Sequence, residues 1–300
     1  MKHIVSDFDI SKNELMEILE LSSKIKKNNQ AYSEVMKNKT LIMLFELASL
    51  RTRVSFEAGF HQLGGHAIFY SIEGGKFTRD EAMEDGIVNL SRYCNFIMAR
   101  VLKQEVMERM AKVATIPVIN GMTEIYHPCQ SLADLLTIKE HKGKLNGIKI
   151  AYVGDGGCNT ANSTMISGVN ADMEVSVVCP DNSKYSPSLA LLKKLKGKVN
   201  VIHDPVEGVK GADVIYTDVA VSAGMETEKE ERIKAFKPFQ VNMELVKKAK
   251  TDAMVMHCLP AHIGYEITRE AMDCSQSVVF DQAENRMHAQ KGLLVWLLDK

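Results

Sequence analysis

Short, continuous runs of apolar residues, cut off by glycine, aspartate or proline and separated by stretches of helical pattern, recur along most of this 300-residue chain. A strand with one wet face alternates polar and apolar residues. A strand that reads as a solid apolar run is buried on both faces, as in a parallel sheet covered by helices. Such runs stand at Thr40–Phe45, His66–Tyr70, Phe96–Ala99 and Pro117–Ile119, and again at Lys149–Val153, Glu174–Cys179, Asn200–His203, Val214–Thr217, Ala253–His257 and Ser277–Phe280. Helical patterns at Val54–Leu63, Asp80–Tyr93 and Gln104–Val113 lie between the earlier runs. This alternation predicts an α/β fold, doubly wound around parallel sheets.

The length suggests two domains. Pro128 can open a helix running through Ser131–Glu140, and the polar, glycine-punctuated stretch Lys142-Gly143-Lys144-Leu145-Asn146-Gly147 then precedes a new strand. The expected division is 1–143 and 144–283, with a last helix, 284–300, whose Leu293, Leu294, Trp296, Leu297 and Leu298 need a surface to cover and return to the first domain. With 45% apolar and 25% charged residues, each domain can bury an ordinary core. The net charge of -1 offers no overall field for nucleic acid or an anionic membrane, so any anion site must be local. The chain lacks both an apolar leader at its start and an 18-residue apolar window. Its six cysteines form no C-x-x-C pair, which argues against a structural zinc site and fits reduced thiols in the cytoplasm.

In parallel α/β sheets, ligands bind beyond the carboxyl ends of the strands, so the loops there carry the candidates. Ser49-Leu50-Arg51-Thr52-Arg53 lies between a strand and a helix start, where free backbone N–H groups and the helix dipole favour an anion. Glu46 or Glu57 could tie up Arg53 in an ion pair, which leaves Arg51 as the better phosphate ligand. A capped helix with solvated arginines is the plainer reading. His127-Pro128-Cys129-Gln130 stands at a second strand-to-helix junction, with Pro128 suited to the first helical turn. There His127 and Gln130 are either ligand contacts or ordinary side chains. Gly154-Asp155-Gly156-Gly157-Cys158-Asn159 departs from the dinucleotide spacing G-x-G-x-x-G, and no acidic residue closes the following strand. Its glycines and Asn159 fit a small polar ligand better.

Asp218 and Ser222 follow the Val214–Thr217 run and could hold an ammonium group, or form a surface loop before the acidic stretch Glu226 to Glu231. Cys258, in His257-Cys258-Leu259-Pro260, reads either as a nucleophile or as buried packing. Arg286 has Glu284 and His288 within a helical turn, so an ion pair on the helix surface is one reading of it.

Taken in order, these segments resemble the aspartate/ornithine carbamoyltransferase family, most nearly its ornithine branch. Ser49–Arg53 resembles the family's S-T-R-T-R phosphate loop, and His127–Gln130 with Leu132-Ala133-Asp134 its H-P-x-Q-x-L-A-D segment. His257–Pro260 with Ala261-His262, the run Phe280–Gln290, and Asp218-x-x-x-Ser222 resemble the ornithine branch. The resemblance implies two α/β domains around a cleft, a catalytic trimer, and no metal or organic cofactor. Its substrates would be carbamoyl phosphate and an amino acid. It implies that Ser49, Leu50, Arg51, Thr52, Arg100, His127, Gln130, Cys258, Leu259 and Arg286 surround carbamoyl phosphate, with Arg100, His127, Cys258 and Arg286 at the reacting centre. Asn159, Asp218, Ser222 and Ala223 would hold ornithine.

Several positions depart from the pattern. Leu50 removes one hydroxyl from the phosphate loop, Cys158 replaces an Asn, Ala223 a Met and Ile263 an Arg. Acetylornithine carbamoyltransferases carry a similar S-L-R-T-R loop, but Glu266 stands where their modified lysine is expected. The segment between Gly74 and Met83 also strays, with Lys76 or Arg79 as candidates for a phosphate contact supplied to a neighbouring subunit. These departures keep two alternatives open: transfer to putrescine, lysine or an acylated ornithine, and a catalytically silent binding or regulatory relative.

Overall fold

The structure, a computed structural model, describes residues 1–72, 81–221 and 225–300, the Glu226 side chain excepted. The expectations for Ser222, Ala223, Lys76 and Arg79 fall outside the described residues. In chain order the principal elements are α1 (Lys12–Lys27), β1 (Thr40–Phe45), α2 (Leu50–Gln62), β2 (His66–Ser71), α3 (Met83–Tyr93), β3 (Phe96–Arg100), α4 (Gln104–Val113), β4 (Val118–Met122) and α5 (Pro128–Lys142). They continue with β5 (Lys149–Val153), α6 (Asn159–Asn170), β6 (Glu174–Val178), α7 (Leu189–Lys194), β7 (Val199–Ile202), α8 (Pro205–Val209), β8 (Val214–Thr217), α9 (Lys229–Phe236), α10 (Met243–Val246), β9 (Met254–His257), α11 (Arg269–Met272) and α12 (Val279–Leu297). Two compact units result: Met1–Leu136 with Glu284–Lys300, and Thr137–Ala283.

The first unit is built on a four-stranded sheet of order β2-β1-β3-β4 and the second on a five-stranded sheet of order β7-β6-β5-β8-β9. Every strand pair is parallel, as the solid apolar runs require. In both sheets the order reverses beside the first strand of the unit, and that reversal is where loops splay apart to leave room for a ligand. Ile42, Leu44, Ile97 and Ala99 form one face of the first core with Ile87, Met107 and Met110 from α3 and α4. In the second unit Val153, Val178, Ile215 and Val255 pack with Val246, Ala271 and Met272. The final helix contributes Leu293, Leu294, Trp296 and Leu297 as buried side chains from the part that belongs to the first unit.

Two differences from the sequence-based expectations have physical causes. Ser277–Phe280 does not form a strand. Ser277 makes a single bridge to Val255, and the Val278 N–H reaches the Val255 carbonyl, before α12 starts at Val279. The apolar run there is the first turn of a helix, which a four-residue run cannot be told from by periodicity alone. The sequence reading also passed over α1. Its start is nevertheless marked by a capping box, in which the Ser11 side chain accepts from the Glu14 N–H and the Glu14 side chain accepts from the Ser11 N–H. Its buried Leu15, Ile18, Leu19, Ser22 and Ile25 follow helical spacing.

Candidate active site

In the first unit the cationic candidates come together. Ser49 is the N-cap of α2, where its hydroxyl accepts from the Thr52 N–H and donates to Thr52 Oγ1 at 3.1 Å. The Leu50 and Arg51 N–H groups in that first turn have no intrahelical acceptor, which leaves donors at the positive end of the helix. Thr52 is fully buried. Its Oγ1 also receives Arg100 Nη1 at 3.3 Å, from the end of β3, and Arg286 Nη2 at 2.8 Å, from α12. A hydroxyl oxygen has two lone pairs, fewer than the three donors aimed at it. Two guanidiniums drawn onto one oxygen also repel each other, and an anion placed among them would relieve that repulsion.

His127 and Gln130 flank the start of α5, both buried. Burial, then the charges of Arg286 and Arg100, hold the His127 imidazole well below its usual range. The ring is therefore neutral at physiological pH. Gln130 donates from Nε2 to Asp134 Oδ1 at 2.8 Å, which fixes the amide and leaves its buried Oε1 without a hydrogen-bond partner among the described residues. Arg53 pairs with Glu57 at 3.3 Å and lies 3.9 Å from the Phe69 ring centre, as the spacing to Glu57 suggested. Arg51 remains half-buried with no ion pair among the described residues. The Leu50 side chain, on a residue 76% exposed, adds no polar group to the loop, which has only the backbone N–H from this position.

The second unit gathers the acidic and thiol candidates. Asp218 follows β8, and its Oδ1 accepts from the Val219 N–H at 2.7 Å and from Cys258 Sγ at 2.9 Å. The negative charge of this acceptor beside the sulfur disfavours a thiolate nucleophile. Asp218, His257 and Cys258 present side-chain donor atoms within 4.8 Å of one another. The imidazole, however, is committed on both sides: Nδ1 accepts from the Leu259 N–H at 2.9 Å, so Nε2 carries the proton and faces Glu266 Oε1 at 3.1 Å. Neither nitrogen is turned toward an ion. Leu259 adopts φ +59°, a conformation that costs a non-glycine residue about 1–2 kcal/mol. The hydrogen bond to His257 holds it there.

Asn159 occupies the first position of α6, and Cys158 caps that helix, with its sulfur 3.0 Å from the Tyr152 hydroxyl. The β5–α6 turn must contain glycine. Gly154 has φ +139°, and a Cβ on Gly156 would meet Pro187 and Val177 at 2.8 Å. Beneath this turn lies Arg232, which the sequence reading overlooked. Its buried guanidinium pairs with Asp155 Oδ2, donates to the Ala220 carbonyl at 2.7 Å, and packs over the Tyr185 and Phe236 rings. It therefore ties the loop carrying Asn159 to the loop carrying Asp218. The signal for it was an arginine directly after the acidic stretch, four residues after Glu228.

Guanidiniums and hydroxyls thus meet at a strand end of the first unit, and a carboxylate and a thiol at a strand end of the second, in a two-unit parallel α/β protein. Residues 2–140 match the family described as aspartate/ornithine carbamoyltransferase, carbamoyl-P binding domain, and residues 146–297 match its Asp/Orn binding domain. The chain belongs to the aspartate/ornithine carbamoyltransferase family. It is 47% identical to an ornithine carbamoyltransferase of Archaeoglobus fulgidus, over 100% of this chain and 98% of that one. It is 49% identical to the anabolic ornithine carbamoyltransferase of Pyrococcus furiosus over 88% and 85% of the two chains. Among solved structures, ornithine carbamoyltransferase from Pyrococcus furiosus superposes with a TM-score of 0.91 at 46% identity, covering 98% and 96% of the chains. The anabolic enzyme of Campylobacter jejuni gives 0.92 at 35% identity, covering 100% and 99%.

Proposed function

We propose that the protein transfers the carbamoyl group of carbamoyl phosphate to the side-chain amine of L-ornithine, giving L-citrulline and phosphate. The observation that carries this reading is the meeting of Ser49, Arg100 and Arg286 on Thr52 Oγ1 at a helix N-terminus. In this reading Ser49, Leu50, Arg51 and Thr52 hold the phosphate through side chains and loop N–H groups. Arg100, His127, Gln130 and Arg286 surround the carbamoyl group, and Cys258 and Leu259 lie beside the attacking amine. Asn159, Asp218, Ser222 and Ala223 grip the α-amino and α-carboxylate groups. The first unit is the carbamoyl phosphate domain and the second the amino-acid domain.

Carbamoyl phosphate is already activated, so no covalent enzyme intermediate is needed. The amine gives up a proton and its lone pair attacks the carbonyl carbon. Negative charge grows on the carbonyl oxygen, where Arg100, neutral His127 and the Thr52 hydroxyl donate. Losing one such donor costs about 3–4 kcal/mol in the transition state. The tetrahedral intermediate then collapses: its C–O bond to phosphate breaks, and phosphate leaves with the bonding electrons and takes up the proton still held by the attacking nitrogen.

The working form is a homotrimer in this reading. Edge strand β2 presents Ile68, Phe69 and Tyr70 at 36–41% exposure beside Leu50 and Val54 of α2, at 76% and 52%. An edge strand with apolar side chains beside an apolar helix start is a surface that wants a partner. No helix among the described residues is long and apolar enough to cross a membrane. We place the reaction in the cytoplasm, where all six cysteines, none of them in a disulfide, stay reduced.

The test incubates purified protein with carbamoyl phosphate and a panel of ornithine, N-acetylornithine, putrescine and lysine, and measures ureido products. Citrulline as the dominant product supports the reading. Carbamoylation of another amine alone overturns the acceptor assignment. Carbamoyl phosphate binding without turnover on any amine identifies a silent relative.

A further inference from the structure

Glu46 stands between β1 and the phosphate loop, and no role above accounts for it. As Arg53 pairs with Glu57, Glu46 is not needed to neutralise that arginine. An acidic side chain here works against binding an anion a few residues away, so its presence calls for a compensating use. Its bonds show one. The Glu46 N–H donates to the Arg100 carbonyl at 2.9 Å, which continues the β1–β3 ladder one step past Phe45 and Arg100. The Glu46 carboxylate then accepts from the Leu102 N–H at 2.8 Å. On the opposite edge the Val101 N–H reaches the Met122 carbonyl, and the Glu124 N–H reaches the Leu102 carbonyl at 2.7 Å. The turn Arg100–Leu102 is thus strapped from both sides, at the point where the register of β3 against β4 shifts between Ala99 and Arg100. Such a break in register leaves a strand end to be fixed by something other than the sheet ladder. The residue it carries, Arg100, is aimed at Thr52 Oγ1.

We propose that Glu46 is a positioning residue: one carboxylate oxygen, by holding the Leu102 N–H, sets the aim of the Arg100 guanidinium into the carbamoyl phosphate site. The inference rests on the carbamoyl phosphate reading of that site. The working part is the acceptor at that reach, and the negative charge is a cost that comes with it.

Three substitutions separate reach from charge. Glu46→Gln keeps an acceptor oxygen at the same length and removes the charge. Glu46→Asp keeps the charge and falls one methylene short, and Glu46→Ala removes both. Steady-state kinetics with each substrate varied are expected to show kcat/KM for carbamoyl phosphate reduced about 10- to 100-fold in Glu46→Ala and Glu46→Asp, the range a small misplacement of a catalytic group produces. The KM for ornithine should stay within about threefold, and Glu46→Gln should retain most of the wild-type efficiency, on the same logic. In an Arg100→Ala background, Glu46→Asp should cause no further loss, because groups acting through one another are not additive. Equal losses in both backgrounds would overturn the proposal, and so would a Glu46→Gln enzyme as impaired as Glu46→Asp. Equilibrium binding of a phosphonate analogue of carbamoyl phosphate, measured beside the melting temperature, separates misaimed arginine from misfolding. A wild-type protein that does not bind the analogue sinks the carbamoyl phosphate reading. A wild type that binds it no better than Glu46→Asp and Glu46→Ala sinks the Glu46 proposal alone.

Discussion

Replacing Arg232 with methionine is expected to destabilise the second unit in a way that depends on pH. In the wild-type protein, burial pushes the Asp155 carboxyl above its ordinary range, while the Arg232 guanidinium and the Gly157 N–H pull it back. Both members of the pair are almost fully buried, at 3% and 5% side-chain exposure. Methionine fills much of the space over Tyr185 and Phe236 but leaves Asp155 and the Ala220 carbonyl without their donor. Removing one partner of a buried pair costs about 3–5 kcal/mol when the other charge must be kept. For a domain of this size that is roughly 6–20 °C in melting temperature. An acid whose folded pKa lies above its unfolded one favours the folded state at low pH, and that advantage is lost as pH rises through the folded pKa. Losing Arg232 raises the folded value further. The gap between variant and wild type should therefore be widest at high pH and narrow as pH falls and Asp155 takes up a proton. Urea melts followed by circular dichroism at pH 8, 6 and 4.5 measure it, and Asp155→Asn in the variant should recover stability at pH 8. A penalty that is constant with pH, or below about 1 kcal/mol throughout, would refute the reasoning.

Thr52→Val keeps the shape of the loop residue but removes the oxygen on which Ser49, Arg100 and Arg286 meet. Turnover should fall about 10²- to 10³-fold, with the fold intact by circular dichroism. Because burial and two neighbouring arginines depress the His127 pKa, its ring should stay neutral from pH 8 down through pH 6. An NMR titration of the ring protons should show no midpoint near 6.5, and a midpoint there contradicts the described environment. Gly292→Ala would place a methyl 2.0 Å from Ser22 Oγ and 2.9 Å from its Cα. Overpacking of this kind costs about 1–3 kcal/mol, and because the backbone of α1 is part of the clash, adding Ser22→Ala should restore only part of the loss.

Much of this arrangement was legible in the sequence, for reasons that differ by residue. The parallel strands showed through because burial on both faces leaves an unbroken apolar run, as in Thr40–Phe45 and Lys149–Val153. The strand β2 carries the same signature yet is mostly exposed in the single chain, because an edge position is a property of topology and not of composition. The i,i+4 spacing of Arg53 and Glu57 identified a local pair correctly. Closeness in sequence to Glu284 likewise suggested a structural ion pair for Arg286. Instead, His288 takes Glu284 at 3.0 Å, and Arg286 crosses to Thr52, 234 positions away in the chain. Local spacing could not reveal that contact, nor the reach of Arg232 to Asp155 across 77 positions. The use of the Glu46 carboxylate was hidden for the same reason, since its partner is a backbone N–H in the turn after β3.

The first unit is assembled from both ends of the chain. Ribosomes deliver Ser49, Thr52, Arg100 and His127 early, but the second guanidinium of their cluster, Arg286, follows only after the whole of the second unit. A nascent chain halted before that point carries every strand of the first sheet and only half of its cationic pair. The cluster is thereby completed only after the second unit has been made, and a product truncated before Arg286 lacks one of its two guanidiniums.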